Sequence, residues 1–508
     1  MNSQLKIKKI DELAEVLSSV RQDGKRIIHC HGVFDLLHIG HIRYLEQAKR
    51  MGDVLVVTVT PDRYVDKGPQ RPAFTESLRA EAIASLNCVD YVAINKWKTA
   101  EETLRLLRPH IYAKGSEFKN IASDPTGKIA REAKICHEIG TTLAFTEDIT
   151  FSSSNLINRY FADFPEEIQE YLVVFRQRYD LKEIAQILDN MASLNVLVVG
   201  DTILDEYQYC QAIGKSSKDP VLALKYQSRD FFAGGVLAVA NHIANFAHSV
   251  QLVTVLGDTD RHEEYIRSQL HSNISPYFIT LCNAPTPIKR RFVEGYSLNK
   301  LFEVYVMNDS GLPPQQNEEL SLWLDKHLSE YDIVIAADFG HGAISNGVVQ
   351  VLANRARFLA VNTQANAGNR GFNTISRYPR ADYICLAEHE IRLEARNLNG
   401  DLRQIMKSIA TRHNCPKVVV TQGRRGAAIC YDFDSYLQVP SFAQNIVDRV
   451  GAGDAFFSIT SLAAAQGVQD EILGFIGNVV GSLAVQVIGN KKAIDKMSVK
   501  KYVTSLMK

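Results

Sequence analysis

A chain of 508 residues is too long for one ordinary hydrophobic core and predicts two or three domains. Lysine plus arginine equals aspartate plus glutamate at 57 each, so no whole-chain field exists to gather nucleic acid or an anionic membrane, and small molecules become the expected partners. The eight cysteines contain no C-x-x-C pair, which argues against a disulfide framework or a cysteine zinc site and points to a reducing, cytoplasmic setting.

Two apolar, β-branched runs, residues 26 to 34 and 54 to 60, flank a helical stretch from Gly40 to Gly52 and form a βαβ pattern. Further short runs at 91–94, 111–113 and 142–145 alternate with helix-like segments, which closes a parallel α/β domain over residues 1–158. Helical spacing of Ile168, Leu172, Phe175 and Tyr179, then a capping-box-like pair Asp180 and Glu183, predicts a helical connector over 159–193. A second alternating series begins at 196–199, continues at 252–256, 333–336, 359–362 and 418–420, and ends in helices after Asp454. It predicts a larger α/β domain over 194–508. The longest uncharged run, 472–490, reaches only the lower limit of a membrane span and is broken by Gly474, Gly477, Asn478 and Gly481. It reads as a buried helix and turn, and the charged amphipathic start predicts no signal peptide.

Ligands of open parallel sheets lie beyond the carboxyl ends of strands, which selects the segment after the first strand: His31, Gly32, Phe34, Asp35, His38, Gly40 and His41. His38 and His41 are three residues apart at a helix start, so both imidazoles can face one anion beside the positive end of the helix dipole, and Gly40 admits a phosphate close to the backbone. Two imidazoles without an obvious nucleophile suit attack on a nucleotide α-phosphate by an acceptor that is already an anion, with His38 and His41 as the catalytic pair.

The string GVFDLLHIGH resembles the HxGH signature of the nucleotidyltransferase superfamily, and its continuation through GDVLVVTVTPD resembles the cytidylyltransferase-like branch. The resemblance covers about the first 158 residues and implies a Rossmann-like fold. It also implies nucleotide and phosphate contacts from His31, Gly32, Phe34 and Gly40, from Lys67 and Arg71 in a basic loop, from Arg79 in the following helix, from Lys114 at a strand end, and from Ser152, Ser153 and Ser154 at a final helix start.

Near the other end, Gly451-Ala452-Gly453-Asp454 places small residues and one carboxylate at a helix start. Successive N–H groups can converge on a transferring phosphoryl group while Asp454 accepts the proton of an attacking hydroxyl. With Asp201 after a strand, Gly234-Gly235 opening a helix, Asp338-Phe339-Gly340, Glu390 and the segment Thr421 to Gly426, the constellation resembles the ribokinase-like (PfkB) sugar kinases over 194–508. That resemblance implies Asp454 as base and Gly451, Ala452 and Gly453 as anion hole. Asp201, Gly234, Gly235 and Asn241 become sugar contacts, Glu390 a ligand of magnesium-bound water, and Thr421, Gly423, Gly426 and Asn478 a nucleotide border. It further implies a β lid over 206–228 and 287–306 that excludes water and can clasp a second subunit, giving a homo-oligomer. Two positions depart from the family pattern: Ala238 stands where an asparagine is usual, and Ala387 precedes Glu390 where asparagine is common.

VLVVGDTILDEYQY and the Lys215-to-Val221 segment, together with the N-terminal domain, resemble the two halves of the bifunctional heptose 7-phosphate kinase/heptose 1-phosphate adenylyltransferases of ADP-heptose synthesis, in reversed order. The resemblance implies ATP and Mg2+ as co-substrate and cofactor, and sugar phosphates as small-molecule partners. Lys289, Arg290 and Arg291 in the lid become candidates for a distal sugar phosphate, with Arg290 the expected sugar contact. Two alternatives stay open: a CTP-dependent transferase for a polyol or another sugar phosphate fused to a kinase of different specificity, and a kinase-like domain kept only for binding or assembly.

Overall fold

The computed structural model describes residues 3–65, 71–115, 128–146, 164–296, 298–308 and 310–508. They form two units: residues 1–165 with 500–508, and residues 166–499.

In the first unit, β1 (Ile27–Gly32), β2 (Val54–Val59), β3 (Tyr91–Ile94), β4 (Ile111–Lys114) and β5 (Thr142–Phe145) form a parallel sheet in the order β3-β2-β1-β4-β5. The chain winds outward from β1 in one direction and then returns to β4 on its other side. The crevice for a ligand therefore opens beyond the carboxyl ends of β1 and β4. β2 is buried along its whole length and reads as a nearly continuous apolar run because both faces are covered, whereas β1 carries His29 and His31 among its apolar residues. Ile28 and Cys30 pack with Leu55, Val57, Leu45 and Ala48, whereas Ile27 packs with Val54, Val56 and with Ile10, Leu13 and Leu17 of the helix Ile10–Gln22.

In the second unit the strands are β6 (Asn195–Lys215), β7 (Leu222–Gly235), β8 (Ser249–Thr259), β9 (Ile274–Pro285), β10 (Ile288–Glu294), β11 (Lys300–Val306), β12 (Ile333–Asp338), β13 (Leu359–Thr363), β14 (Tyr383–Ala387), β15 (Lys417–Thr421), β16 (Ala427–Tyr431) and β17 (Ser435–Val439). The core sheet runs β9-β8-β6-β12-β13-β14-β15-β16-β17, parallel as far as β15 and antiparallel beyond it. β6 is far longer than the run 196–199 that announces it. Its first part pairs with β8 and β12 in the core, and its remainder pairs with β7 and β10 to make a lid in the order β11-β10-β6-β7. One strand thus carries both the floor of the site and its cover.

The region read as a connector contains the helices Glu166–Arg178 and Leu181–Asn190, and these pack on the second unit. Phe175 stacks on Phe475 with ring centroids 4.2 Å apart, and Arg178 and Tyr179 both donate to Glu471. Asp180 caps the second helix by accepting from the Lys182 N–H at 2.9 Å. The apolar stretch after residue 470 is the buried helix Asp470–Ala484. Among the described residues, no helix is long and apolar enough to cross a membrane.

Candidate active sites

At the carboxyl end of β1 the chain turns through Phe34, whose φ of 50° is left-handed, and its ring folds back over Gly32. A Cβ on Gly32 would lie 3.1 Å from that ring, a tight contact that a larger residue could make only by shifting Phe34. The same ring meets His41 edge-on, centroids 5.3 Å apart.

His38 is the N-cap of the helix Ile39–Lys49, and its Nδ1 accepts from the Gly40 N–H at 3.1 Å. That bond assigns the neutral imidazole's proton to Nε2. Burial lowers the His38 pKa, which keeps the ring neutral near pH 7. Among the described residues, His38 Nε2 is buried without a hydrogen-bond partner, so a donor stands ready for an oxygen anion. His41 stacks on His38 with centroids 4.0 Å apart, a contact that the three-residue spacing on a helix start permits.

His31 is held by threonines, with Nδ1 2.8 Å from Thr58 Oγ1 and Nε2 3.3 Å from Thr60 Oγ1. Arg71 lies near the same turn, 3.3 Å from buried Asp35, which also accepts from the Ala73 N–H.

Three expected phosphate contacts are engaged otherwise. Arg79, 2% exposed, donates from all three nitrogens: Nε to Phe74 O, Nη1 to Val33 O, and Nη2 to Thr60 O and Asp62. It is a strut that ties the loop after β1 to the end of β2. Lys114 is buried in an ion pair with Glu132 at 2.9 Å, and the Tyr112 hydroxyl donates to the same carboxylate. The Gly40 N–H is spent on capping rather than left for a ligand. Lys67, Ser152, Ser153 and Ser154 lie outside the described residues.

In the second unit, Gly451 (φ 81°) is the N-cap of the helix Ala452–Ala465. A Cβ there would run into Asn490 Oδ1, so both the left-handed turn and the contact demand glycine. A Cβ at Gly453 would meet nothing within 4 Å, and the first-turn N–H groups have no intrahelical carbonyl to bond, although that of Ala452 reaches back to Arg449 O at 3.4 Å. This is an open, electropositive helix start with Asp454 in its first turn. Burial and the Asp205 carboxylate push Asp454 up to about 7, against the pull of Lys289. A carboxylate poised there can take a hydroxyl proton and return it near neutrality.

Asp205, Lys300 and Asp448 belong to this site but were not singled out from the sequence. Asp205 accepts from Asn490 Nδ2 at 3.2 Å and pairs with Arg291. Asp448 accepts from the Tyr207 hydroxyl at 2.7 Å, Lys300 Nζ at 2.5 Å and the backbone of Val450 and Gly489. The available signal for Asp205 was parity: in an extended strand, residues 201, 205 and 207 share a face.

Asp201 sits at the floor with both oxygens taken by the loop after β12, accepting from Phe339 N at 2.9 Å and Ala343 N at 2.8 Å. Burial raises its pKa in spite of those bonds. Gly234 faces Asp205 Oδ2 closely enough to exclude a side chain, and a Cβ on Gly235 (φ 56°) would lie 2.6 Å from Asp201 O. Glu390 accepts from Ala387 N at 2.7 Å and Ala365 N at 3.0 Å, and burial pushes it up to about 7. Each oxygen keeps a lone pair, so Glu390 can hold a metal-bound water. Among the described residues no group of three His, Cys, Asp or Glu could enclose a metal ion.

Arg290, the expected sugar contact, turns to the opposite face of β10 and pairs with buried Glu206 at 2.6 Å, while Lys289 and Arg291 face Asp205. Asn241 is tied to Gln269 O and the His271 N–H and lines a cavity of about 400 Å³ that also touches Asn490. Asn478 donates to Gly474 O and Val439 O. Thr421 ends β15, and Gly423 (φ 59°) and Gly426 (φ 87°) make the turn into β16.

Residues 193–497 match the family described as pfkB family carbohydrate kinase, and residues 29–159 match the family described as cytidylyltransferase-like. Among curated relatives, the "Bifunctional protein HldE" of Pelobacter propionicus is 41% identical over 133 residues, 26% of this chain and 26% of the relative. That of Geobacter metallireducens is 34% identical over 172 residues, 33% of each chain. The matched regions therefore span about a quarter to a third of those relatives' length. Phosphofructokinase-2 from Escherichia coli in complex with potassium aligns with 63% of this chain and 100% of its own, at 17% identity and a TM-score of 0.52. The same enzyme in complex with substrates and products covers 62% of this chain, with a TM-score of 0.51. At that identity the likeness speaks for fold alone, and it agrees with the lidded α/β architecture of the second unit. With three fifths of its length matched, on a helix start that carries Gly451 to Asp454, the chain belongs to the pfkB family of carbohydrate kinases and bears a cytidylyltransferase-like region in addition.

Proposed function

We propose that the chain is a bifunctional enzyme of nucleotide-activated sugar synthesis, phosphorylating heptose 7-phosphate at its anomeric hydroxyl and transferring AMP from ATP to heptose 1-phosphate. The observation that carries this reading is Asp454, a carboxylate pushed to about 7 in the first turn of an open helix start, in a chain that also holds the stacked His38–His41 pair.

In the kinase step, Asp454 takes the proton of the acceptor hydroxyl as its oxygen attacks the γ-phosphorus, and ADP leaves. The N–H groups from Gly451 to Gly453 receive the equatorial oxygens. Mg2+, when bound with the nucleotide, neutralises phosphate charge, and Glu390 is placed to hold one of its waters. In the transferase step, a sugar phosphate oxygen attacks the α-phosphorus and pyrophosphate leaves. His38 Nε2–H donates to the oxygen on which charge grows, and His41 braces that ring. A phosphatase must act between the two steps, because the kinase product carries two phosphates and the transferase acceptor one.

The lid is the proposed seat of homo-oligomer formation. Leu222, Tyr226 and Phe302 on it are about half exposed, more apolar surface than a free lid needs. All eight cysteines are free thiols, in keeping with a cytoplasmic enzyme.

The test is mass spectrometry of products from heptose 7-phosphate with ATP and CTP together, with and without a bisphosphatase. A heptose bisphosphate, then ADP-heptose only when the phosphatase is present, is expected. CDP-sugar would transfer the second activity to CTP, and no phosphorylated product would remove the kinase reading.

A further inference from the structure

The face of β1 that carries Ile27 also carries His29 and His31, and in register with it on β2 stand Val54, Val56 and Thr58. Ile27, Val54 and Val56 pack on the helix Ile10–Gln22, but further along the strands the same face turns polar and stays buried. His29 and Thr58 are both 0% exposed. His29 Nε2 lies 2.7 Å from Thr58 Oγ1, and the same oxygen lies 2.8 Å from His31 Nδ1. His31 Nε2 in turn lies 3.3 Å from Thr60 Oγ1, just past the carboxyl end of β2. The Tyr112 ring of β4 stacks on His29 with centroids 5.3 Å apart. Buried imidazoles are costly where apolar side chains would fill the same space, so a polar file leading to the crevice calls for a use.

The direction of the file follows from its protons. Burial, with Lys114 nearby, lowers the His29 pKa to about 3, so this ring is neutral and has one N–H. Thr58 has one hydroxyl proton, and its side chain bonds the two imidazoles among the described residues, so it accepts from one and donates to the other. His29 Nδ1 decides which. It is buried and has no partner among the described residues. A proton there would strand an N–H, the rarer defect in folded proteins, whereas a proton on Nε2 strands only a lone pair. His29 Nε2–H therefore donates to Thr58 Oγ1, and the Thr58 hydroxyl donates to His31 Nδ1. Neutral His31 is left with its proton on Nε2, the nitrogen beside Thr60.

Building on the transferase reading above, we propose that His29 and Thr58 are positioning residues for nucleotidyl transfer, fixing the ring angle and tautomer of His31 so that its Nε2–H is presented to a phosphate oxygen of the nucleotide. Thr60 Oγ1 holds that N–H at a long 3.3 Å and can yield it to a charged acceptor, which makes the stronger bond. His38 is set in the same way, since its Nδ1 accepts from the Gly40 N–H and its Nε2 carries the proton. Both rings thus offer the same nitrogen, each fixed by a donor behind it.

The experiment uses the full chain with His29→Phe, His29→Gln, Thr58→Val and Thr58→Ser. Pyrophosphate release from ATP or CTP with heptose 1-phosphate, sugar phosphorylation and thermal midpoints are measured for each. His29→Phe keeps a ring on Tyr112 and removes the donor, whereas His29→Gln returns an N–H to the place of Nε2. Transferase kcat/KM is expected to fall roughly 3- to 10-fold in His29→Phe and Thr58→Val and to be largely kept in His29→Gln and Thr58→Ser, with sugar phosphorylation unchanged throughout. Midpoints at position 29 should run the other way, because phenylalanine suits a buried apolar face and glutamine brings a buried amide. Activity that simply follows the midpoint, or wild-type transfer in His29→Phe, overturns the proposal. Nitrogen-15 spectra of the histidine-labelled chain, with His31→Gln to assign the signals, read the tautomer directly. A proton on His31 Nε2 is expected, and one on Nδ1 overturns the proposal. If the unaltered chain releases no pyrophosphate, the transferase reading fails by itself, while the spectra still decide whether His29 and Thr58 set His31.

Discussion

Lys300 of the lid strand β11 places Nζ 2.5 Å from Asp448 Oδ1, three residues ahead of Gly451, so the cover of the kinase site is tied to the loop that shapes its anion hole. Burial tends to raise the Asp448 pKa, but Lys300, Tyr207 and two backbone N–H groups outweigh it and leave it low. Breaking the pair should therefore disturb both cover and loop. Lys300→Met is expected to lower kinase kcat/KM about tenfold or more, consistent with the loss of ~1.5–3 kcal/mol for a hydrogen bond to a charged group. Nucleotidyl transfer by the same preparation should stay unchanged, and parallel assays of both reactions check this.

Asp454 sets a pH dependence with a definite sign. Its carboxyl is pushed up to about 7, so the base is protonated on the acid side, and kinase kcat/KM should fall about tenfold per unit as pH drops below 7. For stability the same shift works in reverse. The native state binds this proton more tightly than the unfolded chain, so ionised Asp454 costs stability above its folded pKa, and the cost disappears below the unfolded value near ~4. Asp454→Asn should abolish kinase turnover. It should also raise the melting midpoint of the second unit at pH 8 by roughly 2–4 °C, with no difference at pH 4. Calorimetry at the two pH values is the measurement, and a variant less stable at pH 8 would contradict the assignment.

Burial lowers the His38 pKa, and the Gly40 N–H bond to Nδ1 puts the neutral ring's proton on Nε2, which has no partner among the described residues. His38→Ala removes that donor together with the helix cap. Pyrophosphate release should drop ~10²–10³-fold, while sugar phosphorylation persists. His38→Asn can still cap the helix but cannot reach the same oxygen. It is expected to regain stability without activity, a split that a purely structural role could not produce.

Arg79 offers a contrast between strut and ligand. Its guanidinium joins Val33, Thr60, Asp62 and Phe74 from a fully buried position. Arg79→Met should destabilise the first unit by ~3–5 kcal/mol, because several buried acceptors lose a charged donor at once. Denaturant unfolding followed by a probe in that unit measures this. A stable variant with only a weaker nucleotide KM would return Arg79 to the phosphate.

Several features were legible because they are local. The βαβ start, the adjacency of His38 and His41 at a helix start and the placement of Asp454 in the first turn after two glycines all follow from the periods of strand and helix, which act over a few residues. Apolar runs marked β2, β12 and β15 because each is covered on both faces. The length of β6 was not legible. Its far half continues as a strand because β7, the returning arm of the same hairpin, pairs along it to Lys215, and β10, distant in sequence, flanks it as far as Cys210.

The amino-acid order by itself determined which segments could present backbone amides and which side chains stood at helix starts. Tertiary structure alone decided which charges remained available. Lys289 and Arg290 are adjacent in sequence and alike in charge, yet the register of β10 on β6 sends one toward Asp205 and the other to Glu206. Arg79 and Lys114 were claimed in the same way by partners far along the chain. A side chain's charge is local information, but its neutralisation depends on what the fold packs against it, and buried charges seek the nearest partner whatever its position in sequence.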